Sequence, residues 1–137
     1  MKTATYGMTV RLNTPFETSR DLIIEALRQE GFGILTELDV QAVMREKAGT
    51  RMPQYIVLGA CNPELAHSAL VEDHDFGLLM PCNVVVREDE YRGSSVSILD
   101  PDVVARASNS LAPDNISAAL GQKLSRALRT IEGESIE

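Results

Sequence analysis

YIVLGACNPELAHSALVEDHDFGLLMPCNVVV, residues 55–86, decides the fold. Residues 54–60 are rich in β-branched and aromatic side chains, the composition of a strand. Asn62-Pro63 then signals a helix start: an amide that can cap the first turn, followed by a proline whose missing N–H costs nothing there. Residues 63–71 read as that helix and residues 72–76 as an acidic loop. Residues 77–86 are too apolar to face water and read as a buried strand. Pro81 interrupts it, and because proline cannot donate to a ladder it implies a bulge or an edge position. The stretch holds both cysteines and both histidines of the chain, and each cysteine precedes an asparagine.

Upstream, residues 6–12 alternate weakly, with Met8, Val10 and Leu12 on one side of a strand. Thr14, Pro15 and Glu17 then form the pattern of a capping box with proline at the first helical position. Phe16, Leu22, Ile23, Ala26 and Leu27 give that helix one apolar stripe, and Gly31 ends it. Residues 33–38 read as a strand with Ile34, Thr36 and Leu38 on one face and Leu35 and Glu37 on the other. Asp39 caps a short helix over residues 40–48, stopped by Gly49, and residues 49–53 form a loop.

Downstream, residues 88–93 make a polar turn into a hairpin strand over residues 94–99, with Val96 and Ile98 inward. Asp100-Pro101 starts a short helix to about residue 107, residues 108–114 are a loop, and a last amphipathic helix spans residues 116–131. The order βαβαβαββαα fits an α+β fold: two layers, a mixed and mostly antiparallel sheet, helices covering one face. Residues 1–132 are expected to form one domain and residues 133–137 a frayed tail.

The formal net charge of −7 comes with no basic run. Phosphate backbones and anionic membranes need clustered Lys and Arg, so nucleic acid and membrane surfaces are poor partners. The N-terminus lacks a signal-peptide core and no apolar run reaches spanning length, which makes the cytoplasm the expected location. Two cysteines are too few for a disulfide framework.

Cys61 precedes the cap of a helix, where the dipole favours negative charge, so a lowered thiol pKa is expected. That suits a nucleophile, a redox thiol or a soft-metal ligand. A small residue fitting a tight strand-to-helix turn explains it as well. Cys82 falls on a strand face with Val84 and Val86, which is core by default. The spacing of the two cysteines matches no zinc or dithiol motif. His67 lies more than a turn from Cys61, His74 sits in the acidic loop, and neither has partners at triad spacing. Glu37 and Lys47 can meet as an ion pair from strand to following helix, worth ~0–1 kcal/mol if exposed. Burial would make such a pair costly and hint at a groove.

Gly31-Phe32-Gly33, Glu37-Leu38-Asp39, Lys47, Leu58-Gly59-Ala60-Cys61-Asn62-Pro63, Leu65-Ala66, Ala69-Leu70 and Gly77-Leu78-Leu79-Met80-Pro81-Cys82-Asn83-Val84-Val85-Val86 occur in this order. Together they resemble the bacterial and archaeal family called domain of unknown function 302, over residues 5–131. Met80 stands where members often carry leucine, a volume-conserving change, and residues 51–54 are less regular than the pattern. The resemblance implies a two-layer α+β fold likened to the TATA-binding-protein-like group, and a homodimer. It also implies a Lys–Glu pair beside a groove as a suggested site, which falls here on Glu37 and Lys47. The family's activity is not established.

Three readings stand beside one another. The first is a homodimeric module binding a small ligand or soft metal, its groove lined by Glu37, Lys47, Cys61, Asn62, Cys82 and Asn83, with Cys61 and Cys82 as the metal candidates. The second is a structural or protein-interaction domain. The third is a thiol-dependent enzyme using Cys61, with Lys47 and Glu37 as acid and base. No cofactor is specified by any motif.

Overall fold

The computed structural model describes residues 2–3, 6–90, 92–107 and 113–134. Strands β1 (Lys2–Thr3), β2 (Gly7–Leu12), β3 (Gly33–Asp39), β4 (Tyr55–Cys61), β5 (Cys82–Glu88) and β6 (Ser94–Leu99) form one sheet in the order β1-β2-β6-β5-β4-β3. Every pairing is antiparallel, where the sequence allowed a mixed sheet. Helices α1 (Phe16–Gln29), α2 (Val40–Ala48), α3 (Pro63–Glu72), α4 (Pro101–Ala107) and α5 (Pro113–Glu134) complete the α+β order with a 3-10 helix at His74–Leu79.

Strand alternation builds the core. Val10, Leu12, Leu58, Val84, Val86, Val96 and Ile98 share one sheet face and are almost wholly buried. Ile23 and Leu27 of α1 and Leu124, Leu128 and Ile131 of α5 cover them in one cluster. Each fully buried aliphatic side chain contributes ~1.5–3 kcal/mol, and this row is the main source of stability. The opposite face carries residues such as Thr9, Ser97 and Asn83, with Thr9 Oγ1 2.7 Å from Ser97 Oγ. One apolar and one partly polar face is the pattern expected of a half-covered antiparallel sheet.

Several local signals act as the sequence indicated. Asp39 caps α2 by accepting from the Ala42 N–H at 3.0 Å, and Gly49 closes it at φ 66°. Gly31, at φ 89°, ends α1: its N–H reaches Arg28 O and the Phe32 N–H reaches Leu27 O, the two bonds of a Schellman motif. Phe32 is thereby turned into the core.

Others do not. The capping box at Thr14 is not formed, since α1 starts at Phe16 after Pro15 and receives no side-chain cap. The Thr14 hydroxyl instead lies 2.5 Å from Ser19 Oγ, and Ser19 and Ser94 are hydrogen-bonded with both side chains fully buried. These hydroxyls tie the start of α1 to the start of β6. The run 77–86 is a strand only from Cys82. Asp73 accepts from the Asp75 N–H through its side chain and from the Phe76 N–H through its carbonyl. That local turn wins over the apolar pattern, leaving Phe76 buried and Leu78 86% exposed. Pro81 therefore precedes the ladder and interrupts nothing.

Helix α5 starts before residue 116 and continues through Glu134, into the expected tail. Residues 135–137 of that tail, residues 108–112 of the expected loop and Tyr91 of the polar turn lie outside the described residues.

In β3 the register shifts between Ile34 and Thr36, which face Ala60 and Gly59 on β4. Leu35 is the extra residue of a bulge. The alternation read from sequence consequently slips: Ile34 and Glu37 share the helix side, Thr36 and Leu38 the uncovered side. Thr36 and Pro81 close over Gly59, where an added Cβ would run into Thr36 Oγ1 and lie 2.7 Å from Pro81 Cγ. Gly59→Ala is expected to cost ~1–3 kcal/mol by overpacking, read as a lower denaturant midpoint with an unchanged slope.

Candidate functional site

At the end of the sheet where β4 stops and β5 begins, α1 and α5 no longer roof the strands completely. Helices α3 and α4, the 3-10 helix and the start of α5 close this corner around a half-open cavity of about 70 Å³. The two signature pieces of the sequence meet here, Ala60-Cys61-Asn62 beside Met80-Pro81-Cys82 in the cavity lining. Phe76, Leu79, Val104, Ile116 and Leu120 supply much of the rest.

Asn62 is the expected cap of α3, its Oδ1 accepting from the Leu65 N–H at 3.2 Å with Pro63 opening the helix. The residue is almost buried, and its Nδ2 lies 3.1 Å from where a Cβ on Gly31 would stand. Asn62 thus holds the turn together before it offers anything to a ligand.

Ala60 is paired with Cys82 across β4 and β5. Cys61, one residue on, alternates to the other side of the sheet from Cys82. Both cysteines border the cavity, but the strand geometry sends their side chains apart. Both are free thiols. Burial pushes the Cys61 thiol up, opposite to the lowering expected from the helix dipole. Burial pushes Cys82 up to about 12. Burial therefore works against the thiolate at both positions, opposite to the lowered pKa that a Cys61 nucleophile would call for. No group of three His, Cys, Asp or Glu suited to a metal ion occurs among the described residues.

The remaining candidates lie elsewhere. Because the Leu35 bulge turns Glu37 to the helix side, its Oε1 accepts from Arg20 Nη2 at 2.6 Å. That hydrogen bond raises the Arg20 guanidinium pKa above its ordinary value. The expected Glu37–Lys47 pair is absent among the described residues; Lys47 is exposed in the last turn of α2. Asn83 is exposed on the uncovered sheet face opposite Gly59. His67 and His74 are exposed, with His74 Nδ1 3.2 Å from Leu70 O.

Arg20 also borders a second, polar cleft of about 330 Å³ with Glu17, Asp21, Asp39 and Tyr55, near the start of β4. The six residues expected around one groove are therefore divided between the cavity at one end of β4, the edge strand with its following helix, and the open face. The cavity walls from α4 and α5 escaped sequence reasoning. Their apolar residues carry the same signal as any core stripe.

Two changes test this geometry. Asn62→Ala should cost ~0.5–2 kcal/mol through loss of the cap, measured by urea unfolding. The Cys82 shift sets a pH window. Below 9.0 both folded and unfolded chains keep the proton; between 9.0 and about 12 only the folded chain does, so stability falls as pH rises. Unfolding followed across this window should show a shallower decline in Cys82→Ala than in the wild type.

No curated protein matches this chain. Among solved structures, the crystal structure of an uncharacterized conserved protein DUF302 from Bacillus stearothermophilus is similar, with a TM-score of 0.84 and 28% identity over 93% of this chain and 98% of that one. The family model described as Domain of unknown function DUF302 matches residues 8–131, a span that includes β3 to β6, nearly all of β2, the cavity and the core face of α5. The chain belongs to the DUF302 family.

Proposed function

We propose that this protein is a binding module for a small organic molecule, seated in the cavity beneath the Cys61-Asn62 turn. One observation carries the reading. The two most distinctive pieces of the sequence lie side by side across β4 and β5 and line the same half-open cavity. A concave, mostly apolar site with few polar groups is the usual form of a small-molecule pocket. The raised thiols and their divergent side chains favour ligand binding over soft-metal binding or covalent catalysis.

A homodimer, the assembly implied by the family resemblance, has its strongest support at the β3 edge and α2. Leu35, Leu38 and Met44 are exposed there, and no residue of α2 is buried. In this reading the dimer is separate from the cavity.

Native mass spectrometry of freshly purified, reduced protein tests both. A bound mass in the wild type that disappears in Ala66→Leu, which fills the cavity from α3, is the expected result. Ligand-free protein in both, with no molecule from an extract raising the melting temperature of the wild type, would overturn the binding reading. Loss of the dimer in Leu38→Lys with ligand mass retained is expected for assembly through the β3 edge.

A further inference from the structure

The cavity's chemistry narrows what it can hold. Among the described residues, no charged side chain borders it. Its two polar side chains both take part in the fold: Asn62 Oδ1 caps α3, which leaves the amide's Nδ2 as a donor, and Ser117 Oγ donates to Asp102 Oδ1 at 2.8 Å. A charged ligand group would lose its water here with no counter-charge in return, and a polar one would find little beyond one amide donor. The thiols do not change this, because burial keeps both protonated.

Size narrows it further. At about 70 Å³ the cavity is under half the volume of one known to admit benzene, which is about 150 Å³. A slender chain fits where a ring does not, and the open side lets the rest of the molecule continue into water. Met80 in the wall can adjust to the irregular outline of a chain. Leu78, next to the wall residue Leu79, is 86% exposed.

We propose that the cavity binds the end of an unbranched aliphatic chain and leaves the chain's head group in solvent. This rests on the small-molecule reading above and adds the ligand class to it. A fatty acid and a neutral alkyl compound share the required chemistry.

The test follows the methyl resonances of Met80 and Leu79 during titration with 1-hexanol, hexanoate, hexylamine and benzene. Saturable shifts with 1-hexanol and none with benzene at the same concentration are expected. Equal affinity for 1-hexanol and hexanoate would mean that the carboxylate stays in water; preference for the alcohol would point to a neutral source. Ala105→Leu, which narrows the cavity from α4, should weaken 1-hexanol by at least about tenfold while its circular dichroism matches the wild type. The aliphatic assignment falls if benzene shifts these methyls and 1-hexanol does not, and a small-molecule site would then survive with another ligand. It also falls if hexylamine alone binds, because a charged group would then be held inside. Silence with all four probes in wild type, with Ala105→Leu simply raising the melting temperature, would overturn the chain proposal; an extract ligand still detected by mass would keep the broader reading alive.

Discussion

Everything in this molecule depends on burying one face of an antiparallel sheet. The aliphatic row from β2 to β4 must be removed from water, and α1 and α5 do this by packing against each other and the strands. Two long helices cover the middle of a sheet well and its corners poorly. The corner where β4 ends and β5 begins is closed by shorter pieces with small side chains among them, such as Ala60, Ala66 and Ala105. The cavity is what such a patchwork leaves unfilled. Its position follows from the core, although nothing in the core itself requires a ligand.

Much of the fold was legible because local chemistry and tertiary packing agree. Asp39 and Asn62 cap helices in water or in protein for the same reason, and Gly31 and Gly49 adopt positive φ at little steric cost. Thr14 was misleading because its hydroxyl has a better offer from buried Ser19 than from the first turn of α1. The run after Gly77 was misleading for a different reason. An apolar pattern reports a preference for burial, whereas Asp73 fixes a tight turn that only Phe76 follows inward.

The site was legible in part, and by proximity more than by chemistry. Pairing of Ala60 with Cys82 brings the two Cys-Asn pieces together, a proximity that the spacing of the cysteines alone does not specify. Glu37 was assigned the wrong partner because a single extra residue, Leu35, is invisible to a period-two count. Once the strand bulges, Glu37 faces α1 and meets Arg20. The expected thiol activation rested on the helix start alone, whereas burial, which the local pattern does not report, pushes the Cys61 thiol up.

The same extra residue has a consequence for how this protein behaves when concentrated. Sheet margins are templates on which further strands can stack, and exposed leucines such as Leu35 and Leu38 would ordinarily invite that growth. The bulge spoils the regular spacing of donors and acceptors along β3. A margin blunted in this way is a poor seed for fibrils.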